Sequence, residues 1–298
     1  MAKIILITGA TGLIGSRLSE MLSKNHSIVQ LGRSKREGKI SSFVWDISKS
    51  EIDLNAFDEV DTIVHLSGAS VGDKRWTVSW KKEILDSRVQ STKLLFDTLT
   101  ENKHSVKTFV SASAIGYYGF ECDSIFEEQG DSGKDFLAQV TKRWEDEVDK
   151  VSSLGIRVVK IRIGIVLSAK GGALKKMVLP IKCGIGSPLG SGQQYLSWIH
   201  IDDLCGIFVK AIEDEKMDGA YNAVTDWVTN EGMTKAIAKI LKRHLWLPKV
   251  PSFALKVILG EMADIVLNGS KVSSEKIRQA GFRFQYPVLE DALKNLLG

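Results

Sequence analysis

The 298-residue chain has little of what would narrow its role at a glance. Its three cysteines, Cys122, Cys183 and Cys205, are odd in number and far apart. That argues against a disulfide framework and for free thiols in a reducing compartment. The five histidines form no HxxxH or HExxH spacing and the cysteines no CxxC, so no metal site is expected. No apolar run reaches the roughly 18 residues of a membrane span. The nearest approach, from Phe253 to Leu267, is interrupted by Lys256, Glu261 and Asp264. The apolar N-terminus is short and runs straight into a glycine pattern, which is not how a signal peptide ends. A cytoplasmic protein without membrane partners is the expectation. A dense block of one charge is missing too: the net charge is +4, and the richest basic run, Arg33 to Lys39, holds only four cations. That is thin for a nucleic-acid footprint. Repeats and low-complexity tracts are absent, and 44% apolar with 26% charged residues is ordinary for a folded globular chain.

What is present is an alternation. Strand-length apolar runs at 3–8, 27–31, 61–66, 108–113 and 157–162 are separated by amphipathic segments at about 13–24, 77–101 and 136–151. Short apolar runs alternating with helical ones make βαβ units, and nearly continuous apolar strands belong to a parallel sheet covered on both faces. The expected class is α/β: a Rossmann-type doubly wound parallel sheet with helices on both faces. It should occupy residues 1–166, with a returning segment near 197–225. Residues 167–298 form a smaller, mainly helical substrate-side domain, entered through glycine-rich loops at 170–194.

The first strand ends in TGATGLIG, so Gly9, Gly12 and Gly15 open the first helix. Gly9 allows the tight turn, Gly12 lets backbone approach a pyrophosphate, and Gly15 lets helix and strand pack closely. Thr11, Leu13 and Ile14 complete that contact surface, and the helix N-terminus offers free N–H groups. The second strand ends in Gly32-Arg33 rather than in the acid that holds an NAD ribose. A guanidinium with no carboxylate beside it suits a 2′-phosphate, so NADP(H) is the expected cofactor. Asp46, after the third strand, suits the adenine side or a turn.

With these motifs placed, the chain resembles the extended short-chain dehydrogenase/reductases, a superfamily that includes sugar-nucleotide epimerases and dehydratases. It is most similar to the atypical "epimerase family" subgroup that ends in a short domain of unknown function. The segments that carry the likeness are KRWT (74–77), KEILDSR (82–88), SASAIGYYG (111–119), DFLAQVTKRWE (135–145), GGALKKM (171–177), PLGSGQQYLSWIHIDDL (188–204) and LGEMAD (259–264). The resemblance implies NADP(H) contacts from Gly32, Arg33, Leu66, Ser67, Glu83 and Arg88, with Gly68 in the same loop and Arg162 on the cofactor side. A monomer or homodimer acting on a small molecule is implied as well.

The superfamily's chemistry uses Ser, Tyr and Lys, the last two spaced YxxxK on a helix, where the Lys lowers the Tyr pKa from about 10 to make a usable base. Ser113 stands at the Ser position, but Leu137 and Thr141 replace Tyr and Lys, and no YxxxK occurs anywhere. Lys142 lies about 100° round the helix from Thr141 and should point elsewhere. Arg88 stands where the superfamily has Asn. Tyr117 and Tyr118 follow Ser113 at the carboxyl edge of the sheet, where such folds bind ligands, and are either the replacement acid/base or packing aromatics. Cys122 has no partner to activate it. His65 reads as a structural strand-end imidazole, Asp202 and Asp203 as helix caps, and Trp76, Trp80 and Trp198 as core or pocket lining. Two functions follow: an atypical NADP(H)-dependent oxidoreductase or epimerase for a hydroxyl or carbonyl substrate, with Ser113, Tyr117 and Tyr118 as catalytic candidates, or a non-catalytic NADPH sensor or scaffold.

Overall fold

The computed structural model describes residues 2–38, 40–120 and 124–298. Cys122 and Lys39, the last cation of the basic run, lie outside them.

Seven parallel strands form the main sheet: β1 (Ile4–Thr8), β2 (Ser27–Gly32), β3 (Ser41–Asp46), β5 (Thr62–His65), β6 (Thr108–Ala114), β8 (Arg157–Ile163) and β11 (Gly219–Ala223). A short antiparallel β4 (Glu51–Ile52) edges them, giving the order β11-β8-β6-β5-β1-β2-β3-β4. The strand order reverses beside β1, which is the switch point where this topology opens a crevice. All four residues of β5 are buried, which requires cover on both faces. Helices α1 (Leu13–Leu22) and α5 (Ile201–Glu213) pack together, as do α2 (Val78–Glu101) and α3 (Phe136–Asp149). Thr77 and Asp135 start the last two by accepting from the backbone N–H groups of Trp80 and Ala138.

Register carries the polar residues into one line near the carboxyl ends. Thr8 pairs with His65 and His65 with Ser111, while Ser113 pairs with Arg162 and Arg162 with Asn222.

A second sheet, in order β12-β10-β9, is made by β9 (Ile165–Leu167), β10 (Tyr195–His200) and β12 (Asp226–Thr229). Its own apolar cluster joins Leu167, Trp198 and residues of α4 (Gly172–Lys182), α6 (Asn230–Ile240) and a C-terminal helix Leu289–Leu297. The segment expected as glycine-rich loops therefore contains a full helix, α4, with Pro180 inside it. Leu174, Val178 and Ile181 fall at i, i+4 and i+7, and this buried stripe outweighs the flanking glycines. After the second sheet's β10, α5 packs on α1 and β11 joins the main sheet. Between α6 and the last helix run α7 (Ser252–Leu259), the one-turn α8 (Asp264–Leu267) and α9 (Glu275–Gln279). A two-stranded parallel pair, β7 (Ile125–Phe126) with β13 (Lys271–Val272), ties the C-terminal part to the loop after β6. Among the described residues no helix is long and apolar enough to cross a membrane.

The cofactor-type turn is closed by contact. A Cβ at Gly15 would stand 2.3 Å from the Gly9 carbonyl oxygen and 2.7 Å from the Ala10 Cα, both backbone atoms. Gly15→Ala is expected to destabilise the fold by about 1–3 kcal/mol in urea unfolding. Unchanged stability would show that strand and first helix are not in tight contact.

Candidate functional site

Gly9 takes φ +66°, and a Cβ there would press on the Leu66 carbonyl and the Ser67 nitrogen at 3.0–3.1 Å. Only glycine lets the first turn and the loop after β5 approach this closely. The Gly12 N–H donates to the Gly9 carbonyl at 3.0 Å, and no side chain caps the start of α1. Thr11 and Gly12 are exposed at that start, while Leu13 turns toward Gly172. This is a backbone cradle of the kind that receives phosphate oxygens.

The loop after β5 is held by a chain of hydroxyls around His65. Thr8 Oγ1 accepts from the Leu66 and Ser67 N–H groups at 3.1 and 3.3 Å, so its own proton goes to His65 Nδ1 at 2.8 Å. Ser91 donates to the Ser87 carbonyl at 2.7 Å and therefore accepts from His65 Nε2 at 3.1 Å. The ring is thus the neutral Nε2–H tautomer. Complete burial, with Arg88 nearby, pushes its pKa down to about 3. His65 is structural, although its partners are hydroxyls rather than backbone.

Beyond Ser67, Gly68 lies against Arg88, whose guanidinium carbon would be 3.1 Å from a Cβ. Arg88 donates to the Ala69 and Ile84 carbonyls, both at 2.9 Å, and lies over the Trp144 ring. It forms no ion pair among the described residues, and burial lowers its pKa to about 10. A half-buried cation without a counter-charge is partly desolvated and is stabilised when an anion arrives. Glu83, one turn earlier on α2, is exposed.

At the end of β2, Gly32 is half-buried and Arg33 exposed, again with no ion pair. Asp46 is occupied by its own turn: Oδ1 accepts from the Ser48 hydroxyl at 2.6 Å and from the Ser48 and Lys49 N–H groups. These bonds hold its carboxyl below the usual range.

The other end of the site is saturated. Ser113, 3% exposed, donates its hydroxyl to Glu145 Oε1 at 2.6 Å. Glu145 receives two bonds of 2.8 Å from Arg162, and Lys160 stands 3.5 Å away. Burial alone would raise the Glu145 pKa, but the guanidinium, the Ser113 bond and Lys160 outweigh it and the net shift is downward. Arg162 further donates to the Tyr118 hydroxyl and the Glu128 carbonyl at 2.9 and 3.0 Å, and its guanidinium lies 3.5 Å from the Tyr117 ring centroid. Arg162, expected on the cofactor side, is instead consumed within the protein, because all three of its nitrogens are engaged and one face is covered.

Tyr118 is corrected likewise. It is 2% exposed, donates to Asn222 Oδ1 at 2.7 Å and accepts from Arg162, and burial pushes its pKa up to about 12. Its proton is fixed inside a closed network, so it is not an acid/base candidate. Tyr117 remains half-buried beside it. A Cβ on Gly116 would meet Leu137 Cβ at 3.4 Å and Thr141 Oγ1 at 3.8 Å, so the two residues that replace the dyad do face the turn after Ser113. Lys142 points outward and pairs with Asp146.

Glu145, the residue on which this half turns, was missed from sequence although a signal exists. Leu137, Thr141 and Glu145 recur every four residues on one stripe of α3, and the stripe faces Ser113 and Arg162, already paired in register.

The late SWIHIDDL segment is structural. His200, rather than the aspartates, caps α5 by accepting from the Asp202 N–H, and it stacks on Tyr286. Asp202 pairs with Arg17 at 2.6 Å, and Asp203 accepts from the Gln285 and Tyr286 N–H groups. Trp198 is core, and Trp76 and Trp80 pack with Leu137 and Met262 in a small cluster joining α2, α3 and the C-terminal segment.

Comparison with known proteins places this arrangement. Residues 5–144 match the NAD dependent epimerase/dehydratase family, and residues 250–296 match a domain of unknown function, DUF1731. The "Epimerase family protein SDR39U1 homolog, chloroplastic" of Arabidopsis thaliana is 37% identical over 98% of this chain and 86% of its own length. An epimerase family protein of Staphylococcus saprophyticus is 37% identical over 99% of both chains. The crystal structure of the human epimerase family protein SDR39U1 with NADPH superposes with a TM-score of 0.88 at 30% identity, over 98% of each chain.

The His65 network yields a pH prediction. Its folded pKa, about 3, lies below the unfolded value of about 6.5, so its stabilisation is complete above about pH 6.5 and is lost as pH falls toward 3. Between pH 7.5 and 5.5 the wild type should lose about 1.4 kcal/mol more unfolding free energy than His65→Gln. Equal losses by denaturant titration would mean that His65 is not buried as a neutral ring.

Proposed function

This chain belongs to the NAD dependent epimerase/dehydratase family, in the form that ends in DUF1731, and from that premise we propose that it is an NADP(H)-binding oxidoreductase or epimerase of atypical mechanism. The observation that carries the cofactor choice is Arg33, exposed and without an ion pair among the described residues at the end of β2, where an NAD site has an acid. The glycine cradle from Gly9 to Gly15 would hold the pyrophosphate, Arg33 the 2′-phosphate, and Leu66–Gly68 with Arg88 the nicotinamide half. NADP(H) supplies or accepts a hydride when bound.

The chain's own residues then define what is left of the chemistry. Ser113 donates its hydroxyl hydrogen bond to a carboxylate held ionised by Arg162, so toward a substrate hydroxyl its oxygen can act only as an acceptor. Tyr117 is the hydroxyl left beside it for proton transfer, since Tyr118 is locked. The substrate is a small hydroxyl or carbonyl compound, with sugar-nucleotide-like molecules the first class to test. The human relative's complex with NADPH supports the cofactor, and the protein is read as a cytoplasmic monomer or homodimer. A second reading, an NADPH sensor or scaffold without turnover, is favoured by Leu137 and Thr141, which leave neither the phenol nor the amine of the usual dyad on α3.

Titration with NADPH and NADH, using the seven tryptophans as reporters, should give tighter NADPH binding. Arg33→Ala should remove that preference, a loss of about 10- to 100-fold. Equal affinities would overturn the 2′-phosphate assignment. Once a substrate is in hand, Ser113→Ala separates the readings: unchanged turnover excludes the role given to Ser113, and the absence of turnover across hydroxyl and carbonyl panels favours the sensor.

A further inference from the structure

A second feature of the molecule stands apart from the cofactor site. Six of the eleven exposed large apolar residues among those described lie in two segments: Leu179 and Ile185 in the first, and Trp246, Phe253, Val257 and Ile258 in the second. The last four of these are 68–73% exposed. Scattered exposed apolar residues are ordinary; a contiguous set is not.

These are contiguous because two loops run side by side. The Ile185 N–H donates to the Pro180 carbonyl, which keeps it beside the end of α4 that carries Leu179. Ser187 donates to the Pro248 carbonyl, two residues after Trp246. Leu189 bridges Val250 in parallel, and a Cβ at Gly190 would meet the Ser252 hydroxyl at 3.1 Å. Ile185 and Trp246 therefore start a ridge that continues into α7. There Phe253 and Val257, four residues apart, form the outward face while Leu255 is buried.

The ridge is also one-signed. Neither of the sequences that build it, 172–201 and 232–260, contains a single Asp or Glu, yet together they hold nine Lys and Arg. Three of these are paired with acids, Lys176 with Asp73, and Lys235 and Lys249 with Glu231, which stands in the first turn of α6 just before the second segment. Lys175, Lys182, Lys239, Lys242, Arg243 and Lys256 have no ion pair among the described residues. Lys239, Lys242 and Arg243, with His244, line an open hollow of about 550 Å³ immediately before Trp246. Six cations without an ion pair among the described residues thus lie in the same two segments as Trp246 and Phe253, the largest of the exposed apolar side chains.

We infer that this ridge is a docking surface for an anionic lipid bilayer, with Trp246, Phe253 and Val257 entering the headgroup boundary and Lys242, Arg243 and Lys256 facing lipid phosphates. A tryptophan and aliphatic side chains beside Lys and Arg is the composition of an interfacial element, in which apolar burial and attraction to acidic lipid act together. Single-stranded nucleic acid fits less well, because bases stack on aromatic rings and four of the six apolar side chains are aliphatic. The attachment is peripheral, since no helix among the described residues is long and apolar enough to span a bilayer, and it runs against the expectation from sequence of no membrane partner.

The test is co-sedimentation of the full chain with phosphatidylcholine vesicles, either pure or carrying about 30% phosphatidylglycerol. Binding is expected only to the acidic vesicles and is expected to fall with added salt. The variants Lys242→Glu/Arg243→Glu and Phe253→Ser/Val257→Ser should each weaken it by about tenfold or more, with NADPH titration and thermal unfolding as controls that the fold is intact. Equal binding to both vesicle types, or to neither, would overturn the inference. So would a dimer in sedimentation equilibrium that Phe253→Ser/Val257→Ser disperses, which would give the ridge to a second copy. Binding to an oligonucleotide that survives the apolar substitutions would give it to nucleic acid.

Discussion

The ion pair between Glu145 and Arg162 sets the terms for the rest of the site. Both side chains are buried, one on α3 and the other on β8, so each would be strongly destabilising alone. Their cost is offset only because every remaining hydrogen-bonding group around them is used. Ser113 donates to the carboxylate, Tyr118 and the Glu128 carbonyl accept from the guanidinium, and Asn222 closes the circle through Tyr118. The Asn222 side chain also donates to the Ser273 carbonyl, and its backbone N–H donates to Glu128. One buried pair thereby fixes strands β6, β8 and β11, the turn after Ser113 and the C-terminal segment in a single arrangement. A network satisfied this completely is rigid, and it leaves no spare proton.

The two ends of the site consequently differ in kind. Toward the pyrophosphate turn the protein keeps groups in reserve: backbone N–H groups at the start of α1, Arg33 in solvent, and Arg88 half-buried against two carbonyls and the Trp144 ring. The neutral His65 chain holds the connecting loop without spending any of these charges. Toward Ser113 everything is committed. That asymmetry fits the proposed reading, in which a charged dinucleotide is recognised at the open end and Tyr117 is the hydroxyl left for proton transfer beside Ser113. The superfamily's dyad positions have become part of the packing, since Leu137 belongs to the cluster that also takes in Met262 from the DUF1731 region.

Much of this could be read from the residues. Alternation of apolar runs and amphipathic segments gave the parallel sheet, because strands buried on both faces carry an unbroken apolar signal. The glycine spacing gave the turn, because a Cβ at any of the three positions would stand 2.3–3.3 Å from backbone atoms. The loss of the dyad was visible by counting along α3. What stayed hidden were pairings across the fold. Nothing local distinguishes Arg162 from Arg88, yet a carboxylate from another element neutralises the first and leaves the second free. Tyr117 and Tyr118 are neighbours in sequence and differ only in which side of the turn each ring falls. Helix α4 was obscured by the glycines and the proline around it, whose local preference was overridden by burial of Leu174, Val178 and Ile181.

The account stands or falls on whether the cofactor end is open to a dinucleotide while the Ser113 end stays locked. The measurement that tests both at once is a crystal structure of this protein with NADPH bound. It is predicted to show the 2′-phosphate within hydrogen-bonding distance of Arg33, the nicotinamide end beside Arg88 and Ser113, and the Glu145–Arg162 pair unbroken. A 2′-phosphate left in solvent, or a Glu145 that has released Arg162 to meet the ligand, would contradict it.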